Sequence, residues 1–379
     1  MPSSPRLEIA AAAPVRPPLP AVMQAVTRRQ AQGFDAVWWA DHLLHWFPAS
    51  VWSPDLVPQA ASQASPHVWC DPFALAAAAA GHADRIRLGV GVTDLVRRHP
   101  AALAQTALTL DHVTGGRFIL GVGTGEALNI AALGLDNARP LARLREGLDV
   151  MRLLFSTPGE VDFDGEFFTL RGAAVGLRPA GERPPPVWVA AHRPRGLRLV
   201  GEAADGWLPL CTDPVDYAGM WARVRAAAAQ AGRAAPVPGL YTRVVLAEDD
   251  EIAQRAAAGS LLLRFIALTA AAEAYAAHGA AHPLGEGVFG LTEFRPTGLG
   301  REEALRLAGE VPEAVVLDTV VAGTPSTVAG RLAALVAAGA RHVQVVNMTP
   351  LASPELAPSG EALLGEALAE LRLRVGGAA

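Results

Sequence analysis

Short apolar runs alternate with longer helix-forming segments along nearly the whole chain, and this alternation constrains the fold more than any other feature. Eight runs read as strands: residues 7–12, 34–40, 86–90, 118–120, 186–191, 206–210, 241–246 and 342–346. Helical segments fall between them, among them residues 20–32, 72–82, 100–113, 143–155, 250–278 and 325–338, with a last helix over 354–375. Eight β-then-α units are what a parallel (β/α)8 TIM barrel requires; an open, doubly wound sheet is the alternative, and the count favours the barrel. The expected organisation is therefore α/β, one barrel domain over 1–379. Irregular insertions interrupt it at about 46–72, rich in Trp and Pro, and at about 282–300, rich in Gly and Pro. A hairpin is expected around Asp164-Gly165, which leaves Asp164 and Glu166 facing solvent.

Composition narrows the chemistry. The chain holds no lysine in 379 residues, which excludes Schiff-base chemistry, a Walker-A phosphate lysine and any lysine general base. A net charge of −5 lacks the basic footprint of a nucleic-acid binder. Two cysteines, Cys70 and Cys211, form neither a metal-spaced pair nor a disulfide framework, so a reducing cytoplasm is the expected compartment and no metal site is expected. No apolar run reaches the roughly 20 residues of a membrane span. The apolar stretch after Ala10 is broken by Pro14, Pro17 and Pro18 and makes a poor signal peptide.

In such barrels functional groups gather at the C-terminal ends of the strands. Here the unusual residues fall there. The second strand ends in Asp41-His42 with Trp46 beyond, and the third in Gly91-Val92-Thr93-Asp94. The fourth runs into Gly123-Thr124-Gly125-Glu126, with Asn129 one turn further on, where a glycine turn and helix start offer bare N–H groups to an anion. The fifth ends in Ala190-Ala191-His192-Arg193 and the sixth in Cys211-Thr212-Asp213. Each motif alone has a bland account: an Asp-His pair can cap a turn, and many βα loops carry two glycines. Trp38 and Trp39 lie inside a strand and read as core, while Trp52 and Trp69 read as insertion packing. His99 and His112 read as structural. The shared rim is what points to a site.

The segments DH-x-x-x-W at Asp41-His42-Trp46, GVGTGEALN ending at Asn129, and VWVAAH ending at His192 resemble the bacterial luciferase-like superfamily, within it the coenzyme F420 (deazaflavin) branch. The first two resemble the F420-dependent glucose-6-phosphate dehydrogenases. The later segments VWVAAHRPRGLRLVGEAADGW, AHGAAHPLG and VVLDTVVAGTP are similar to the phthiodiolone ketoreductases. The resemblance implies a homodimeric barrel with F420 in its mouth. It implies that Asp41 and His42 meet the deazaflavin ring, that Trp46 walls the substrate side, and that Glu126 is the acid or base. It further implies a non-proline cis bond or bulge at Gly91–Val92 behind the ring, beside Thr93. The cofactor tail would lie on Thr124, Gly125, Asn129, Ala190, Ala191, His192 and Arg193.

Two departures bear on the substrate. The sugar-phosphate dehydrogenases clamp phosphate partly with lysines; here only arginines such as Arg193, Arg195 or Arg295 are available. The ketoreductases lack the tryptophan found here at Trp46. The resemblance thus implies hydride transfer to a small organic substrate, a carbonyl or activated alkene of a secondary metabolite, with His42 or Glu126 moving the proton. For Glu126 that requires partial burial. The alternatives are an FMN-dependent monooxygenase on the same barrel and a non-catalytic flavin-binding barrel.

Overall fold

The computed structural model describes residues 6–376; the extreme ends of the expected 1–379 span lie outside the described residues. The strands are β1 (Glu8–Ala12), β2 (Ala36–Trp39), β3 (Arg87–Asp94), β4 (Phe118–Gly123), β5 (Val161–Asp164), β6 (Thr169–Ala173), β7 (Val187–Val189), β8 (Gly206–Trp207), β9 (Val237–Leu246), β10 (Val321–Gly323) and β11 (His342–Asn347). Eight of them close a parallel ring in the order β9, β11, β1, β2, β3, β4, β7, β8 and back to β9. This is the (β/α)8 barrel. β5 and β6 form the expected antiparallel hairpin outside the ring.

Tyr241 is bridged to Leu210 on one edge of β9 and to Gln344 on the other, which closes the ring. Val244 pairs with both Val321 and Asn347, so β10 sits on the same edge as β8, further along. The register fixes which side chains point inward. Ala10 pairs with Gln344, Ala12 with Trp38, Trp38 with Gly89, and Gly121 with Trp188. Trp188 in turn pairs with Gly206.

Two fully buried indoles fill the barrel, and glycines make room for them. A Cβ on Gly89 would lie 2.5 Å from the Trp38 ring, and one on Gly206 would lie 2.2 Å from the Trp188 ring. His342 completes this plug: its Nε2 accepts from Trp38 Nε1 at 3.0 Å and its Nδ1 meets Glu8 at 2.7 Å. The lower barrel is therefore packed solid, and open space begins above it.

Three expectations are corrected. The helix read over 250–278 is three: Asp250–Gly259, Leu261–Ala267 and Ala272–Ala276. Ser260 breaks the first from the second; it is extended and its Oγ caps Leu263 N while donating to Leu351 O. β10 and the helices Arg301–Gly309 and Glu313–Asp318 were not anticipated. The insertion at 282–300 contains the short helix Gly290–Glu293 and sends Phe289, Leu291 and Thr292 to the cavity wall. Among the described residues no helix is long and apolar enough to cross a membrane.

Candidate active site

Beyond Trp39 the chain leaves β2 through Asp41, which is 4% exposed. Its carboxylate accepts from Thr93 Oγ1 at 2.6 Å and pairs with Arg97 at 3.2 Å and Arg98 at 3.1 Å. Arg97 also holds Asp94, and Arg98 reaches Asp71. Buried charges survive here because each is paired. Asp41 therefore spends its charge on its own chain, tying the ends of β2 and β3 together and fixing where His42 begins.

His42 lies between two indoles, its ring 5.1 Å from Trp46 and 4.8 Å from Trp69. Asn129 sets its orientation. The Asn129 Oδ1 accepts from the backbone N–H groups of Leu43 (2.9 Å) and Leu44 (3.2 Å), so its Nδ2 is the atom that faces His42 Nδ1 at 2.8 Å. His42 Nδ1 is then an acceptor, and the neutral ring carries its proton on Nε2. The resemblance gave Asn129 to the cofactor tail; in the structure its amide holds the His42 loop.

Glu126 stands 3.6 Å from His42 Nδ1, at the end of the β4 turn. That turn depends on Gly125, whose φ is +83° and where a Cβ would meet Ile130 Cδ1 at 2.3 Å. The Glu126 side chain is 27% exposed overall, yet its Oε2 is buried with no hydrogen-bond partner. Burial pushes this carboxyl above its ordinary value of 4.5, against the pull of His42, Arg243 and Arg97 and with the help of Asp94.

The floor between these groups is β3. The Gly91–Val92 peptide is cis, and the β3–β4 register shifts between Val90 and Thr93. Gly121 and Gly123 let this bulge press close: a Cβ on Gly123 would lie 3.0 Å from Val92 Cγ2. Opposite, Ala190 and Ala191 follow β7, and His192 Nε2 accepts from Leu210 N at 2.8 Å. Burial, with a smaller contribution from Arg243, lowers the His192 pKa to about 4, so this ring is neutral and holds position rather than moving protons. Arg193 pairs with Glu273 at 3.1 Å and lies over Phe289. The helix Pro194–Ala203 starts without a side-chain cap, beside Arg195.

Asp41, His42, Trp46, Gly91, Val92, Thr93, Thr124, Gly125, Glu126, Asn129, Ala190, Ala191, His192 and Arg193 all line one cavity of about 610 Å³. Arg195 lines it too, whereas Arg295 is exposed and does not. Sequence reasoning missed Trp69, Arg97, Tyr241, Arg243 and Gln344, which share the same wall. The last two carry a usable signal: each is a long polar side chain with apolar neighbours within a strand of a sheet covered on both faces.

The family model described as "Luciferase-like monooxygenase" matches residues 3–342. A phthiodiolone/phenolphthiodiolone dimycocerosates ketoreductase of Mycobacterium kansasii is 34% identical over 335 residues, covering 86% of this chain and 89% of the relative. An F420-dependent glucose-6-phosphate dehydrogenase of Kineococcus radiotolerans is 36% identical over 187 residues, 48% of this chain and 49% of the relative. Among solved structures, an F420-dependent secondary alcohol dehydrogenase in complex with an F420-acetone adduct superposes with a TM-score of 0.74 at 21% identity, covering 97% and 99% of the two chains. That likeness shows the shared fold.

Proposed function

This chain belongs to the luciferase-like monooxygenase family, and on that premise we propose that it is a coenzyme F420-dependent oxidoreductase reducing a carbonyl or activated alkene of a small organic substrate. One observation carries the reading: Glu126 lines the cavity with its Oε2 buried, partnerless and 3.6 Å from His42, a carboxyl held above its ordinary pKa beside the space where a substrate oxygen would need a proton. The names of the two relatives, one a ketoreductase and one F420-dependent, support it.

The residues present suit a deazaflavin. The Val92 bulge, cleared by Gly121 and Gly123, makes an apolar floor for a flat ring. The uncapped helix start at Pro194, with Arg195 beside it, suits a phosphate on the cofactor side chain. Thr93, Thr124, Gly125, Ala190, Ala191, His192 and Arg193 would hold the rest. When bound, the deazaflavin supplies a hydride; positioning and proton movement fall to this chain. Glu126, in its protonated form, donates to the substrate oxygen. His42 presents Nε2–H to the same space, held there by Asn129 through Nδ1. Trp46 and Trp69 wall the pair and limit water.

Titrating the protein with F420 and with FMN, read by absorbance, tests the cofactor. Binding of F420 is expected, and tight FMN binding without F420 binding overturns the reading in favour of a monooxygenase. Glu126→Gln is expected to keep F420 affinity while lowering turnover of a ketone by about 10² or more. Unchanged turnover would remove Glu126 from proton transfer.

A further inference from the structure

Of the arginines that line the cavity, Arg97 and Arg193 are paired with carboxylates and Arg195 is exposed, whereas Arg243 is buried with no carboxylate within ion-pair distance. Arg97 and Arg98 share Asp41, Asp94 and Asp71. Arg243 lies on β9 two residues beyond Tyr241, so it points into the barrel mouth, and it is only 4% exposed. Its Nε and Nη1 are buried without a partner, and no ion pair reaches its guanidinium among the described residues. Its neighbours are aromatic faces: Cζ lies 5.7 Å from the Trp46 ring centroid and 5.7 Å from that of Tyr241. Cation–π contacts of this kind return only part of the cost of burying a charge. Removing a guanidinium from water without a counter-ion costs several kcal/mol. Glu126 feels the field of this cation, but among the described residues no carboxylate comes within ion-pair distance of it.

Two further partnerless groups belong to residues that line the same cavity. Trp46 Nε1 is a buried donor without an acceptor, and Gln344 Oε1 a buried acceptor without a donor. Together with Arg243 they describe the complement of a ligand: a planar anion for the guanidinium, with polar atoms of both kinds close to it.

We propose that Arg243 is the anion subsite of the substrate pocket, and that the substrate carries a carboxylate which the guanidinium clamps through two nitrogen donors. The word substrate rests on the oxidoreductase reading above; the anion site does not. A guanidinium with two partnerless donors is matched by the two oxygens of a carboxylate better than by a single carbonyl oxygen. The site sorts substrates, favouring a keto acid or an unsaturated acid over the corresponding ester or amide.

The test is calorimetric titration of the full-length protein with benzoylacetate and phenylpyruvate, each beside its methyl ester, with and without F420. Wild type is expected to bind the acids about tenfold or more tightly than the esters, as a charge-assisted clamp requires. Arg243→Met is expected to abolish that preference. It should also leave the melting temperature unchanged or raised, because it removes an unpaired buried charge. Arg243→Lys should retain part of the preference, having charge without the fork. Equal binding of acid and ester by wild type, binding of neither, or a preference that survives in Arg243→Met overturns the proposal. So does a large fall in the melting temperature of Arg243→Met, which would make the guanidinium a structural brace for Trp46. Acid preference in a protein that binds no F420 leaves the subsite standing and refutes only the cofactor reading.

Discussion

Glu126 shows how one residue acquires a property from its surroundings. A glutamate at a strand end is ordinarily solvated, but here the glycine turn sets its Oε2 beside His42, and burial raises its pKa. The folded protein then binds the Glu126 proton more tightly than the unfolded chain does. Below the ordinary value of 4.5 both states are protonated and nothing is lost. As the pH rises through the elevated folded value, the ionised carboxylate becomes a growing penalty on the native state. Glu126→Gln mimics the protonated form, so it should be more stable than wild type at neutral pH, with the difference shrinking to nothing as the pH falls below about 4. Urea unfolding of both proteins across that range checks this; a constant difference would mean that the carboxyl is not buried in the sense described. Asn129 teaches a related lesson. Its type and place in the turn were legible, but its hydrogen bonds were not, because only the fold brings the Leu43 and Leu44 amides to its oxygen.

At the scale of the element, the glycines on β3, β8 and β9 are as directive as the apolar residues. A two-strand register places Gly206 against Trp188, and a methyl group there would lie within 2.2 Å of the indole. Gly206→Ala is expected to destabilise the protein by about 1–3 kcal/mol through overpacking. Trp188→Leu opens the space, so the double variant should be less destabilised than the sum of the two by about 1 kcal/mol or more. Denaturant titration of the cycle decides it, and additivity within about 0.5 kcal/mol would show that the two side chains do not compete for one volume. Most strands were legible because an apolar run between turn signals has few alternatives. β10 was not, because three residues, Val321 to Gly323, give too short a pattern and are recruited by the exposed edge of β9. The helix break at Gly259-Ser260 did carry a signal, a glycine at the end of one helix and a serine cap at the start of the next, but the helix-forming runs on both sides masked it. Arg243 and Gln344 were passed over because a strand was expected to contribute only its end, whereas this mouth is lined by residues from within β9 and β11 as well.

The whole molecule is held closed partly by histidines that must stay neutral. His342 joins β11 to β1 and β2 by accepting from Trp38 and meeting Glu8, His192 joins the β7 end to the segment after β8, and His45 stacks on Phe47 at 3.7 Å. Burial lowers the pKa of all three below the ordinary 6.5, that of His192 to about 4. A protonated ring would also turn the accepting nitrogens of His342 and His192 into donors facing donors. Because the folded values are depressed, the unfolded chain takes up protons first. Stability is therefore complete above about pH 6.5 and is lost as the pH falls through the window towards the folded values. The carboxylates whose pKa is lowered in the fold, Glu8 and Asp71 among them, act below their ordinary values of 4.5 and 3.8, and Glu126 works in the opposite sense. In the interval from about pH 6.5 to 4.5 the histidines therefore lower the stability as the pH falls, while Glu126, regaining its proton, offsets part of that loss. Unfolding free energy should fall between about pH 7 and pH 5, and the fall should be smaller in His192→Gln, whose amide oxygen can still accept from Leu210 N without titrating. An equal fall in both proteins would free His192 from the acid response, and no fall in wild type would show that the buried rings do not control the closure of the barrel.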